Sequence, residues 1–212
     1  MVSVTVCATP VSARQHLKSS TNKLHEQLHD LPAFVGLLDN TLDLPGYVAI
    51  MSKFRDFYAR LDVQVMRACS NYNIPQNLYS YEPREPMFAA DVLALGGDRH
   101  VLDHDNCQWP EIDSAAGLAG VAYVIDGSVL GGITMNKSAA VLLGNSGITG
   151  RSYWNWCREN GLRQWHQALA LVDSCWAVEK NQPIMTDAAM RTFEALNIWL
   201  CADFDNAGAI DP

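Results

Sequence analysis

Long apolar runs are missing from this 212-residue chain, and none approaches the ~20 consecutive residues that a membrane span needs. Met1 to Pro10 lacks the basic start and longer apolar stretch of a secretory signal. These two absences predict a cytoplasmic protein with no membrane partner. Positive charge is also scarce: 15 Lys and Arg stand against 23 Asp and Glu, a formal net charge of −8. Such a chain neutralises phosphates poorly, which argues against nucleic-acid binding but leaves room for a local basic patch facing a small anion. The six cysteines (Cys7, Cys69, Cys107, Cys157, Cys175, Cys201) include no C-x-x-C pair. Scattered in a chain neither short nor visibly secreted, they read as free and mostly buried thiols. There is no repeat of fixed period, no low-complexity segment and little period-2 alternation. Nor does a G-x-G-x-x-G follow any strand, so a nucleotide-fed redox centre of the chain's own is excluded.

What the chain does have is apolar content, 49% of residues, enough for a packed core and too much for disorder. Its periodicity is helical. Leu17, Thr21, Leu24, Leu28 and Leu31 form one stripe over Ser12 to Leu31, which Pro32 ends. Pro45 opens a second helix to about Cys69. Its stripe is Tyr47, Ile50, Met51, Phe54, Phe57, Tyr58, Leu61 and Val65, with Lys53, Arg55, Asp56, Arg60 and Asp62 on the other face. Residues 71–86 read as a loop. A short helix from Pro86 to Leu95 stops at Gly96-Gly97, and Arg99 to Glu111 reads as an exposed connection. A long, glycine-interrupted helix follows from Ser114 to about Leu143, then one over Arg158 to Glu179. Thr186 caps a last helix to about Cys201. The expectation is an all-α, single-domain helical bundle over residues 12–202, with an N-terminal extension (1–11) and a C-terminal tail (203–212).

Two segments carry chemistry. His25-Glu26-Gln27-Leu28-His29 fits H-E-x-x-H, which on a helix offers two imidazoles for zinc and a Glu as general base. The extended zinc pattern is broken, however: Pro32 replaces its Gly, and its third His is missing. The residues before His25 make no convincing sheet. A second reading places His25 at the flank of the apolar stripe, beside Thr21, Leu24 and Leu28, where a neutral imidazole can meet a metal over an apolar floor. A semi-buried structural His is the bland alternative. The second segment is Tyr123-Val124-Ile125-Asp126-Gly127-Ser128-Val129-Leu130-Gly131-Gly132. Each glycine costs a helix interior roughly 1 kcal/mol relative to Ala. Three within six residues imply either close helix packing or a flat ligand lying against a bent backbone.

Taken together, Leu17, Lys18, Thr21 and His25 on the first helix and the Tyr123–Gly132 run resemble the proximal and distal helices of haem oxygenases. The closest resemblance is to the bacterial ones that supply biliverdin to bacterial phytochromes. Arg84 to Gly97 resembles the family's third-helix region, and Leu143-Gly144, Gly161 and Trp165 follow in order. The resemblance implies haem, as substrate and cofactor, held between the two helices, with His25 as axial ligand to iron and O2 as co-substrate. It implies biliverdin, CO and free iron as products. Lys18 would face a haem propionate, with Thr21, Tyr123 and Gly132 in the binding pocket. Gly127, Ser128 and Gly131 would lie on the O2 side. Ser128 stands where the mammalian-type pattern has Asp; it would hydrogen-bond a distal water or cap a helix carbonyl. Arg163 is the expected second propionate partner, with Arg14, Lys23, Arg151 and Arg158 as rivals. Glu26 and His29 become solvent-side neighbours. Electrons would come from a ferredoxin or a flavoprotein reductase, and a bacterial phytochrome is a candidate recipient of the product. A haem- or tetrapyrrole-binding protein of the same fold without turnover is the alternative function. His16, His100, His104 and His166 read as surface residues, and the Trp residues as packing.

Overall fold

The computed structural model describes residues 12–98, 109–144 and 147–201. Among them it is all helical: α1 (Ala13–His29), α2 (Pro32–Leu38), α3 (Leu44–Asn71), α4 (Glu85–Ala94), α5 (Ala115–Gly127), α6 (Val129–Leu142), α7 (Ser152–Trp176) and α8 (Asn181–Cys201). Cys7, Cys107, His100, His104 and the tail lie outside the described residues. The four described cysteines are free, with Cys157 and Cys175 buried and Cys201 exposed.

Local chemistry explains most of the boundaries. Ser12 and Gln15 exchange side-chain-to-backbone bonds in a capping box that starts α1. Asp43 accepts from the Gly46 amide at 2.8 Å to start α3. The predicted stop at Gly96 is present: its φ is +80°, the left-handed region that glycine enters freely, and the Gly97 amide closes the end on the Val92 carbonyl at 2.9 Å. Three expectations need correction. Pro32 does not simply end a helix; α1 stops at His29 and Pro32 sits in the first turn of α2, where its missing N–H costs nothing. α7 begins at Ser152 rather than Arg158, because Asp91 of α4 accepts from the Ser152 amide (2.7 Å), the Ser152 hydroxyl (2.5 Å) and the Tyr153 amide (3.1 Å). Thr186 is no cap: α8 is already running at Asn181, and the Thr186 hydroxyl bonds back to the Gln182 carbonyl at 2.8 Å inside it.

α5 is the centre of the molecule. Every residue from Ala116 to Asp126 is buried, against α8, α7 and α3. Gly120 lets α8 approach so closely that a Cβ there would collide with the Met185 carbonyl. Together α5 and α6, Ala115 to Leu142, are long and apolar enough to cross a membrane, contrary to the reading of the chain as free of such runs. Yet 67% of that stretch's most apolar window is buried inside the protein, which accounts for its composition as core. α6 rests on α7, α1 on α8 and α7, and α2 bridges α6 and α3.

The α3 stripe is buried as expected, but so are Arg55, Asp56 and Asp62 from its supposed polar face. Arg55 pairs with Asp56 at 2.7 Å and reaches the Asp98 carbonyl. Asp62 accepts from the Arg84 and Glu85 amides, each at 2.8 Å, and so caps α4 from a neighbouring helix. Arg84 itself is wholly buried. Its guanidinium pairs with Asp126 of α5 and lies 5.0–5.6 Å from the ring centres of Tyr81, Tyr58 and Trp156. Tyr79 donates to the second Asp126 oxygen at 2.8 Å. Removing one member of such a pair leaves the other charged and dry. Arg84→Met should therefore lower the free energy of urea unfolding by about 3–5 kcal/mol, and Arg84→Met with Asp126→Leu should recover most of that loss. A double variant no more stable than the single would place the cost elsewhere.

Candidate functional site

A cleft of about 450 Å³ opens between α1 on one side and the α5–α6 junction on the other, a size typical of small-molecule sites. From α1 come Arg14, Lys18, Thr21, Asn22, His25, Leu28 and His29; from α5 and α6 come Tyr123, Gly127, Ser128, Gly131 and Gly132. Phe34, Phe54, Trp154, Phe193 and Leu196 add apolar wall. The two sequence motifs, far apart in the chain, thus face each other across one cavity. Of the predicted site residues, His25, Lys18, Thr21, Tyr123, Gly127, Ser128, Gly131 and Gly132 all line it. Arg163 does not: it is exposed on α7, bonded to Asn160 at 3.2 Å. Among its rivals, Arg14 lines the cleft with its guanidinium 5.9 Å from the Trp165 ring. Arg151 is buried on Asn136, and Arg158 is held by Asn155 and Glu159. The cationic rim is therefore Arg14 and Lys18, two residues of one helix.

The α1 wall is set by register. Ala13, Leu17 and Thr21 are buried, and the Thr21 hydroxyl is tied to the Leu17 carbonyl at 2.8 Å. One residue round, Arg14, Lys18 and His25 point into the opening. The His25 ring meets Phe193 edge-on, centroids 5.8 Å apart, and His29 at 4.5 Å. Desolvation, then the neighbouring His29, push the His25 imidazole below its ordinary pKa, with Lys18 adding to the effect and Glu26 opposing it. At neutral pH the ring is uncharged and has a lone pair to give. His29 is exposed, as expected, and also lines the cleft. Glu26 turns away, accepting from Asn22 at 2.7 Å. Among the described residues no group of three His, Cys, Asp or Glu gathers as a metal site, so His25 and His29 lack the third protein ligand a zinc peptidase needs.

The opposite wall is the interruption between α5 and α6. The backbone hydrogen bonds continue through it, Ser128 amide to Val124 carbonyl at 3.0 Å and Gly132 amide to Ser128 carbonyl at 3.1 Å. The Ser128 hydroxyl donates to the Ile125 carbonyl at 2.7 Å, the capping role of the two expected for it and a known cause of helix bending. Ser128 also neighbours the Tyr58 phenol, whose pKa burial raises. The three glycines have different reasons. A Cβ at Gly132 would lie 2.6 Å from Cys157 Sγ, so this glycine serves packing on α7; one at Gly127 would make ordinary contact with Trp165 at 3.4 Å. A Cβ at Gly131 would meet no neighbouring atom within 4 Å; it faces the cleft. Nothing in the protein forbids a side chain there, and its absence leaves bare backbone facing the cleft.

Sequence reasoning took Phe54 and Tyr58 as core and did not single out Phe193. Their positions on apolar stripes carry no mark that separates cleft wall from core. The buried Arg84–Asp126 pair beneath the junction did have a signal, a lone Asp in an apolar helix, which requires a buried partner. No protein-family model matches the chain, and no curated protein matches it either.

The glycine assignment is testable by signs that oppose each other. Gly131→Ala should raise helix stability by about 0.5–1 kcal/mol while weakening ligand binding in the cleft. Gly132→Ala should lower stability by about 1–3 kcal/mol through the clash with Cys157. Thermal melts with and without ligand read both; a destabilised Gly131→Ala with unchanged binding would refute the assignment.

Proposed function

We propose that this protein is a haem oxygenase of the bacterial type, binding haem between α1 and the α5–α6 junction and opening its ring with O2 and external electrons. The observation that carries this reading is the pairing, in one cleft, of the neutral His25 imidazole with the side-chain-free surface of Gly131. A flat, largely apolar tetrapyrrole fits a cavity whose walls are Phe34, Phe54, Trp154, Phe193 and glycine backbone. Its two carboxylates fit the Arg14 and Lys18 rim, where charge-assisted hydrogen bonds would fix its rotation in the cleft. The residues present therefore suit the group.

His25 would hold the iron from the α1 side, and Phe193 would limit its ring rotation. Bound haem would supply both the iron that takes O2 and the substrate, yielding biliverdin, CO and free iron. On the far side the protein offers Gly127, Gly131 and Gly132 with the hydroxyls of Ser128 and Tyr58, and no carboxylate or imidazole. That composition leaves oxygen to be steered by backbone and hydroxyl groups rather than split by a strong acid. The Ser128 hydroxyl donates to Ile125 and neighbours the buried Tyr58 phenol, so the two hydroxyls form one chain at this wall. Electrons would come from a separate ferredoxin or flavoprotein reductase.

Hemin titration of the purified protein tests the binding half of this reading. The expected result is a saturable 1:1 complex with a sharp Soret band, whose imidazole-ligand signature is lost in His25→Ala. A spectrum that stays that of free hemin, or one unchanged by His25→Ala, would refute it.

A further inference from the structure

The haem reading uses His25 but leaves His29 without a task, although His29 lines the same cleft one helical turn away. The two imidazole centroids are 4.5 Å apart, with their planes inclined at 56°. A first-row divalent cation binds an imidazole nitrogen at ~2.0–2.1 Å, which puts the metal roughly 3.2 Å from the ring centre. Two rings held roughly at right angles about one metal then have centres about 4.5 Å apart. The observed centroid separation matches this value, and i, i+4 placement on one helix face is the spacing that lets two histidines share an ion.

We propose that His25 and His29 form a two-imidazole chelate for a hydrated divalent first-row cation, available when no haem occupies the cleft. Glu26 is engaged by Asn22, and no third His, Cys, Asp or Glu among the described residues joins the pair. The remaining coordination positions go to water. The site is therefore an exchangeable one suited to passage rather than to storage or Lewis-acid catalysis. Because His25 belongs to both sites, haem and free cation exclude one another. On the proposed function, the cation that arises in this cleft is the iron freed by ring opening. His25 and His29 would hold it by ligand exchange alone, with no electron transferred, on the open side of the cleft where both rings are exposed.

The test is calorimetric titration of untagged, hemin-free, full-length protein with Ni2+, an air-stable neighbour of Fe2+ in the affinity order. One saturable binding event is expected, weakened about tenfold or more in His29→Ala by loss of one of two protein ligands, and abolished when the wild-type protein is first loaded with hemin. Both histidines are exposed, and an unchanged thermal melt of His29→Ala by circular dichroism verifies that the variant is folded. Binding that survives in His29→Ala at full strength, or that persists in protein whose Soret band shows bound hemin, would overturn the proposal by assigning the event to other histidines; so would the absence of any binding. A protein that takes up hemin but shows no His29-dependent Ni2+ event refutes the chelate and leaves the haem reading standing. The reverse pattern keeps the chelate and refutes the haem reading.

Discussion

A guanidinium sealed from water has to be neutralised where it stands, and in this fold it stands beneath the cleft. Arg84 is wholly buried, pairs with Asp126 and is ringed by Tyr58, Tyr81 and Trp156. Asp126 immediately precedes Gly127, so the pair fixes the end of α5 at the point where the helix is interrupted. Arg84 in turn immediately precedes α4, whose first amides are held by Asp62 of α3. The same device recurs one step on, where Asp91 of α4 holds the start of α7. Three carboxylates thus tie α3 to α4, α4 to α7, and α5 to the α4 entrance. Each is buried, and each is satisfied by amides or by a cation, as a carboxylate in a dry interior must be.

That frame lets the α5–α6 junction be weak. Glycines at 127, 131 and 132 and a serine hydroxyl that bonds back to Ile125 all work against a regular helix. Packing on Cys157 of α7 requires the glycine at 132. Only Gly131 stands over open space, so the helix gives up stability at the residue where a ligand would need backbone rather than a side chain. The opposing wall costs little: the register of α1 alone, with Leu17 and Thr21 inward, turns Lys18 and His25 toward the opening.

What could be read from the sequence follows from how local each cause is. The α3 stripe, the Gly96 stop and the α1 register depend on neighbours along the chain, and they are legible there. So was the pairing of His25 with the glycine run, because both have residue types that a plain core helix would not choose. The start of α7, the burial of Asp62 and the partner of Asp126 depend on contacts between distant segments, and no local pattern announces them. Arg163 illustrates the same limit. A cation on the next helix looked well placed, yet helical phase points it to solvent, and Arg14, on the helix that already carries Lys18 and His25, occupies the rim instead. Tyr58 was read only as one more apolar-stripe residue, though its hydroxyl needs a polar neighbour when buried.

Binding alone does not separate an enzyme from a tetrapyrrole carrier of the same architecture; ring opening does. The most direct measurement is a single turnover: the hemin complex is given reductant and O2 with catalase present, and the products are read by chromatography and CO trapping. Biliverdin and CO released in equal amounts, and lost in His25→Ala, is the predicted result. Haem recovered with its ring closed, or degraded without CO, would contradict the assignment of this cleft to haem oxygenation.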